Sequence, residues 1–168
     1  WTLGVTNALE SSISQSEDDL LVHHAGPEVS VAATKTFIAQ LTAIYLLGMH
    51  LAPPLGRLQD LVGELRGIPA TVQRLLNNES HIETVAKRLS LLSNLFIIAR
   101  GVNYPVALEG DLKLKEVAYI HAEGYPAGEL KHGPFALLGK DTPVIAIVGR
   151  DSHYQRMLTA IREVKARG

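Results

Sequence analysis

Hydrophobic positions along the chain fall into short unbroken runs and longer stretches at helical spacing, and the two alternate. The runs at 95–99 (LFIIA) and 144–148 (VIAIV) carry the branched residues of buried strands. Each is followed by a turn and then by a helical pattern, over 107–120 after the first and 153–165 after the second. Pro105 suits an opening position of the first of these helices. Strands alternating with helices predict a parallel sheet covered by helices, an α/β fold. A separate α/β piece precedes it: a strand at 3–5, a serine-rich loop at 11–16, a short strand at 20–23, and an apolar stretch over 37–54 that reads as a buried helix. The sequence LAPPLG at 51–56 breaks the pattern, after which 57–66, 69–77 and 81–89 read as amphipathic connecting helices. The chain thus divides into 1–54, a helical connection over 55–91, and 92–168.

Composition narrows the function classes. The 168 residues suffice for one domain or parts of two. Aromatics make up only 5%, so the core is expected to be aliphatic. Sixteen basic against seventeen acidic residues give a net charge of −1, which offers no field for a nucleic-acid backbone or an anionic membrane. The absence of cysteine excludes disulfides, thiolate zinc sites and a cysteine nucleophile, and favours a cytoplasmic location. The 37–54 stretch contains Gln40, Thr42 and His50 and falls short of the roughly 20 apolar residues of a membrane span. No Met precedes Trp1, and Gly168 stands as a C-cap after a basic helix end, so the chain is expected to begin and end inside a longer protein.

Three segments carry candidate chemistry. Glu109, Lys113 and Glu116 follow at spacings of four and three, which puts a lysine between two carboxylates on one helix face. A solvated ion-pair ladder would look the same. Leu108, Leu112, Leu114 and Val117 around it predict a widely buried helix whose charges face a cleft, where a glutamate beside a lysine can be tuned as a general base. The second segment, 119–134, reads as a punctuated polar loop in which His132 is the acid/base candidate, with a plain surface histidine as the other reading. Glu129 and His132 lack a third ligand at a supporting spacing, so no metal is expected; His121 and Glu123 read as structural. In the third segment, the Gly26-Pro27 turn and the small residues after it open a long helix whose first backbone groups either face a polar ligand or are capped.

The stretches AGPEVSVAATKTF at 25–37, ALEGDLKLKEVAYIHAEGYPAGELKHGP at 107–134 and TPVIAIV at 142–148 together resemble the sugar-isomerase (SIS) portion of the glutamine:fructose-6-phosphate amidotransferase family. The resemblance implies a flavodoxin-like SIS fold, a parallel sheet flanked by helices. It makes 1–54 the last part of one SIS domain and 92–168 the first part of a second in tandem. It further implies a sugar-phosphate substrate, no metal or organic cofactor, and a homodimer whose active site is shared between subunits. By the same resemblance Glu116 moves a proton between C1 and C2 of the sugar. His132, donated by the neighbouring subunit, opens the ring, and Lys113 lies against substrate and base. Val31 and Ala32 touch the sugar, while Ala33 stands where the family commonly has serine.

The serine-rich loop at 11–16 does not match the family's phosphate-cradling loops, which precede Trp1, and the family's C-terminal lysine lies beyond Gly168. Its glutaminase domain, with a cysteine nucleophile, is absent, so the isolated chain is expected to be inactive. Two further functions fit the same residues: a related SIS deaminase or isomerase without a glutaminase, and a non-catalytic sugar-phosphate-binding SIS module. The joint presence of Glu116, Lys113 and His132 speaks against the last, because a sensor needs no proton shuttle.

Overall fold

The computed structural model describes residues 1–52 and 56–167, so the break expected at Pro53 and Pro54 and the cap expected at Gly168 lie outside the described residues. The chain separates into two units, Trp1–Asn78 and Glu79–Gly168.

In the second unit, β3 (Asn94–Ala99) is buried from Leu95 onward and forms the middle of a three-stranded parallel sheet of order β4-β3-β5. Five consecutive buried residues are what a strand covered on both faces requires. β5 (Val144–Ala146) pairs along one edge, with Phe96 opposite Val144 and Ile98 opposite Ala146. β4 (His121–Pro126) pairs along the other, with Asn94 opposite His121 and Ala99 opposite Pro126.

Alternating residues of β3 feed two cores. Phe96 and Ile98 pack with Ala127, Leu130, Leu138, Met157 and Ala160, the last two from α6 (Tyr154–Arg167). Leu95, Ile97 and Ala99 pack with Ala107 of α5 (Tyr104–Lys113), Ile120 and Ala122. The helices therefore cover opposite faces of the sheet. α4 (Ser80–Leu89) precedes β3 and buries none of its residues.

The first unit pairs β1 (Leu3–Thr6) in parallel with β2 (Asp19–Val22). Between them the serine-rich segment is a short helix, α1 (Ser12–Ser16), rather than the expected loop, because the Ser11 hydroxyl caps the Ser14 N–H. A side chain at Gly4 would meet Ile13 Cγ2 and Leu20 Cδ2 at 2.9 Å, so glycine allows α1 to lie on the strand pair.

The apolar stretch forms α2 (Lys35–Leu51), but Ala43 is its one buried residue, and Ile38, Ile44, Tyr45 and Leu46 are exposed. The expectation of a buried helix is thus overturned: hydrophobic residues lie all round this helix, and the two-stranded sheet covers only part of it. The predicted pair of helices over 57–66 and 69–77 is a single helix, α3 (Leu58–Leu76), with Pro69 inside it. Proline removes one N–H from the ladder. The apolar face nevertheless continues across it through Leu65, Ile68, Val72 and Leu76, which line a groove with Ile38 and Thr42 of α2.

Candidate functional site

α5 begins with Tyr104 and Pro105, where the missing proline N–H costs nothing, and a 3-10 turn over Gly101–Asn103 joins it to the end of β3. At Lys113 the α-helix gives way to a π turn, Leu114–Ala118, closed by Tyr119 in the left-handed region with φ 56°. The helical pattern read as continuous over 107–120 is therefore widened at its end, a feature frequent at functional sites.

The widened turn carries Glu116. Lys113 Nζ lies 2.5 Å from Glu116 Oε2 and 3.5 Å from Glu109 Oε1, so the ammonium bridges both carboxylates as the spacing predicts. These side chains are about three-quarters buried, with 24–26% of their area exposed. The hydrogen bond from Lys113 to Glu116 holds the ammonium above the ordinary lysine pKa, with the charges of Glu116 and Glu109 adding to it against partial desolvation. The wide burial expected of this helix does not hold: Leu108, Leu112 and Val117 are exposed and only Ala107 and Asp111 of α5 are buried, because the sheet covers one face of the helix alone.

The segment read as a polar loop over 119–134 begins as strand β4, whose polar residues alternate with Ala122 at the sheet edge. His121 and Glu123 pair with each other, Nε2 to Oε1 at 3.3 Å. Beyond the strand, Ala127 and Leu130 are buried as anchors, and the His132 N–H donates to the Glu129 carbonyl at 2.9 Å. Lys131 reaches Glu163 of α6 at 3.1 Å. The loop is thus firmly held, while the His132 side chain is exposed and, among the described residues, makes no hydrogen bond or ion pair with Lys113 or Glu116. Within one chain the predicted acid/base histidine and the carboxylate are not joined.

Val31, Ala32 and Ala33 lie in the first unit, in the approach to α2. Val31 is 93% exposed and Ala32 is buried, with its carbonyl accepting from the Ser30 hydroxyl at 2.7 Å. The helix start is occupied from within the chain. The Glu28 carboxylate accepts the Thr34 N–H at 3.2 Å and the Thr36 N–H at 3.1 Å, as well as both hydroxyls. These donors, Thr36 first, lower its pKa to about 2. Of the two readings of this turn, the groups of Thr34 and Thr36 follow the capped one.

Three features escaped the sequence reading. Asp111 is buried against β4 and accepts the Gly124 N–H at 2.6 Å. Gly101, at φ 55°, is overlain by the His153 ring, which a side chain there would meet at 2.6 Å. The loops that leave β3 and β5 are tied by Asn103 Nδ2 donating to Asp151 Oδ2 at 3.0 Å, beyond the carboxyl ends of the strands where open α/β sheets take their ligands. The Asp111 and Lys115 spacing was visible, but nothing in it showed which carboxylates the sheet would cover.

Residues 89–168 match the SIS domain family. Over 99% of its length the chain is 47% identical to glutamine–fructose-6-phosphate aminotransferase (isomerizing) of Methanosarcina acetivorans and 46% identical to the enzyme of that name from Aquifex aeolicus. It spans 28% of the length of each. Among solved structures, the C-terminal domain of glucosamine-fructose-6-phosphate aminotransferase from Francisella tularensis superposes with a TM-score of 0.94 at 37% identity, over 99% of this chain and 48% of that one.

Proposed function

We propose that the chain, whose residues 89–168 match the SIS domain family, is the isomerase portion of an enzyme that makes glucosamine-6-phosphate from fructose-6-phosphate and glutamine-derived ammonia. The observation that carries this reading is the Lys113–Glu116 pair, sheltered at the widened end of α5. A carboxylate held there against an ammonium is placed to act as a base toward carbon.

In this reaction ammonia first condenses at C2 of the open-chain ketose, giving an imine and releasing water. Glu116 removes a proton from C1, and the electron pair forms a C1–C2 double bond while the C2–N π pair moves to the nitrogen, which takes up a proton, giving an enolamine. The same carboxyl returns the proton to C2 as the C1 hydroxyl gives up its own, leaving an aldehyde at C1 and an amine at C2. Lys113 offsets the negative charge that moves from C1 toward the imine nitrogen during the transfer. His132 moves the proton that opens the ring, and Val31 and Ala32 offer backbone to the sugar, with Ala33 supplying no hydroxyl.

The exposed His132, unjoined to Glu116 within its own chain, supports a homodimer in which a second subunit supplies it. The first unit, on this reading, is the remainder of a preceding SIS domain. No described helix is long and apolar enough to cross a membrane. The lack of cysteine supports a cytoplasmic enzyme.

The test is Glu116→Gln in the intact protein, assayed with fructose-6-phosphate and ammonia for glucosamine-6-phosphate. Turnover should vanish while sugar-phosphate binding persists. Equal loss of binding and turnover would assign the carboxylate a structural role, and unimpaired turnover would end the reading.

A further inference from the structure

β4 is the outer strand of its sheet, so every second N–H along it points away from β3 and needs a partner. The His121 N–H donates to Ser93 O and the Ala127 N–H to Ala99 O, which places the odd-numbered amides toward β3 and turns the Gly124 amide outward. Asp111 meets it: Oδ2 accepts the Gly124 N–H at 2.6 Å, and Oδ1 lies 2.7 Å from Lys115 Nζ. With 7% of its area exposed, Asp111 is one of the few buried polar residues, and both its oxygens are engaged.

One carboxylate therefore ties three segments together: the last turn of α5, the π turn, and the strand below. Gly124 makes the approach possible, since a side chain there would meet Asp111 Oδ2 and Leu108 Cδ2 at 3.0 Å and the Ala107 carbonyl at 3.1 Å. Lys113 lies within the clamped stretch from Asp111 to Lys115, and Glu116 follows directly after it. Were the π turn to relax to α, the residues within it, Glu116 included, would rotate about the axis relative to Lys113 by a growing part of the roughly 100° that one residue spans.

We propose that Asp111 is a positioning residue that, through Gly124 and Lys115, holds the widened turn so that Glu116 faces the substrate carbon. This rests on the reading of Glu116 as the proton-transfer base. A misplacement of about 1 Å in such a group costs on the order of 10²-fold in rate.

The experiment is steady-state kinetics of the intact protein with fructose-6-phosphate and ammonia. Asp111→Ala should lower kcat by about 10²-fold with little change in KM. Asp111→Asn, which keeps an acceptor for the Gly124 amide, should restore much of it. Lys115→Met, which releases the other oxygen, should lower kcat by a smaller factor. An unchanged kcat in Asp111→Ala, or kcat, KM and melting temperature falling together in both Asp111 variants, would overturn the proposal. If the alanine variant does not fold, the other two decide it: a fall in kcat at constant KM in either supports the clamp, and wild-type kcat in both refutes it. Glu116→Gln run in parallel separates the two levels, because its full activity would sink the catalytic reading itself, whereas an inactive Glu116→Gln beside a fully active Asp111→Ala would sink only the clamp.

Discussion

The two units build α/β structure from similar pieces but differ sharply in what they bury. In Trp1–Asn78 the buried hydrophobic residues among those described are Ala32 and Ala43. In the second unit the strand β3 alone buries Leu95, Phe96, Ile97, Ile98 and Ala99. A parallel strand with a neighbour on each edge and helices on each face removes its side chains from water on both sides. A two-stranded sheet beside α2 removes few, and isolated strand pairs are marginal in water. Burial in this molecule thus follows the number of neighbours a strand has, more than the hydrophobicity of its helices.

The largest test of that contrast is a matched pair of truncations. Ile98→Ala should cost about 2–5 kcal/mol in urea unfolding, whereas Ile44→Ala on the exposed side of α2 should stay within about 0.5 kcal/mol. Equal losses would mean that the first unit hides a core of its own. Gly101→Ala sharpens the contrast from the other side: it forces a side chain into φ 55° and into the His153 ring, and should cost about 1–3 kcal/mol by thermal melting.

A smaller effect separates the units by pH. Glu28, normally near 4.5, is held at about 2 in the folded unit, so its hydrogen bonds add stability above pH 4.5 that is lost as pH falls toward 2. Amide exchange at Thr34 and Thr36 should accelerate over that window, and Glu28→Gln should abolish the dependence. Smallest of all, breaking the exposed Lys87–Glu83 pair on α4 with Lys87→Ala should change stability by about 0.5 kcal/mol or less.

The sequence was most legible where pattern and environment coincide. The run LFIIA announced β3 within one residue, since a continuous apolar run has few other uses. The Glu109, Lys113 and Glu116 constellation was also readable, because i to i+4 and i to i+3 geometry is local. β4 was not, as HAEGYP alternates polar groups along a sheet edge and lacks the branched residues that mark a strand. Burial on α2 was misjudged because apolar composition says what a helix can cover and never what is there to cover it. Asp111 escaped for the same reason: only pairing with Gly124 distinguishes it from a surface carboxylate.

The π turn at Leu114–Ala118 has a meaning in the language of insertions and deletions. A five-residue turn is an α turn with one residue to spare, so the segment carries, in effect, a single-codon insertion. Loss of one codon between 114 and 118 would leave a regular helix whose later residues keep their direction, while the residues of the turn itself would each face a different one. A change invisible to helix propensity would then fall on Glu116 and its neighbours, which makes chain length here as constrained as residue identity.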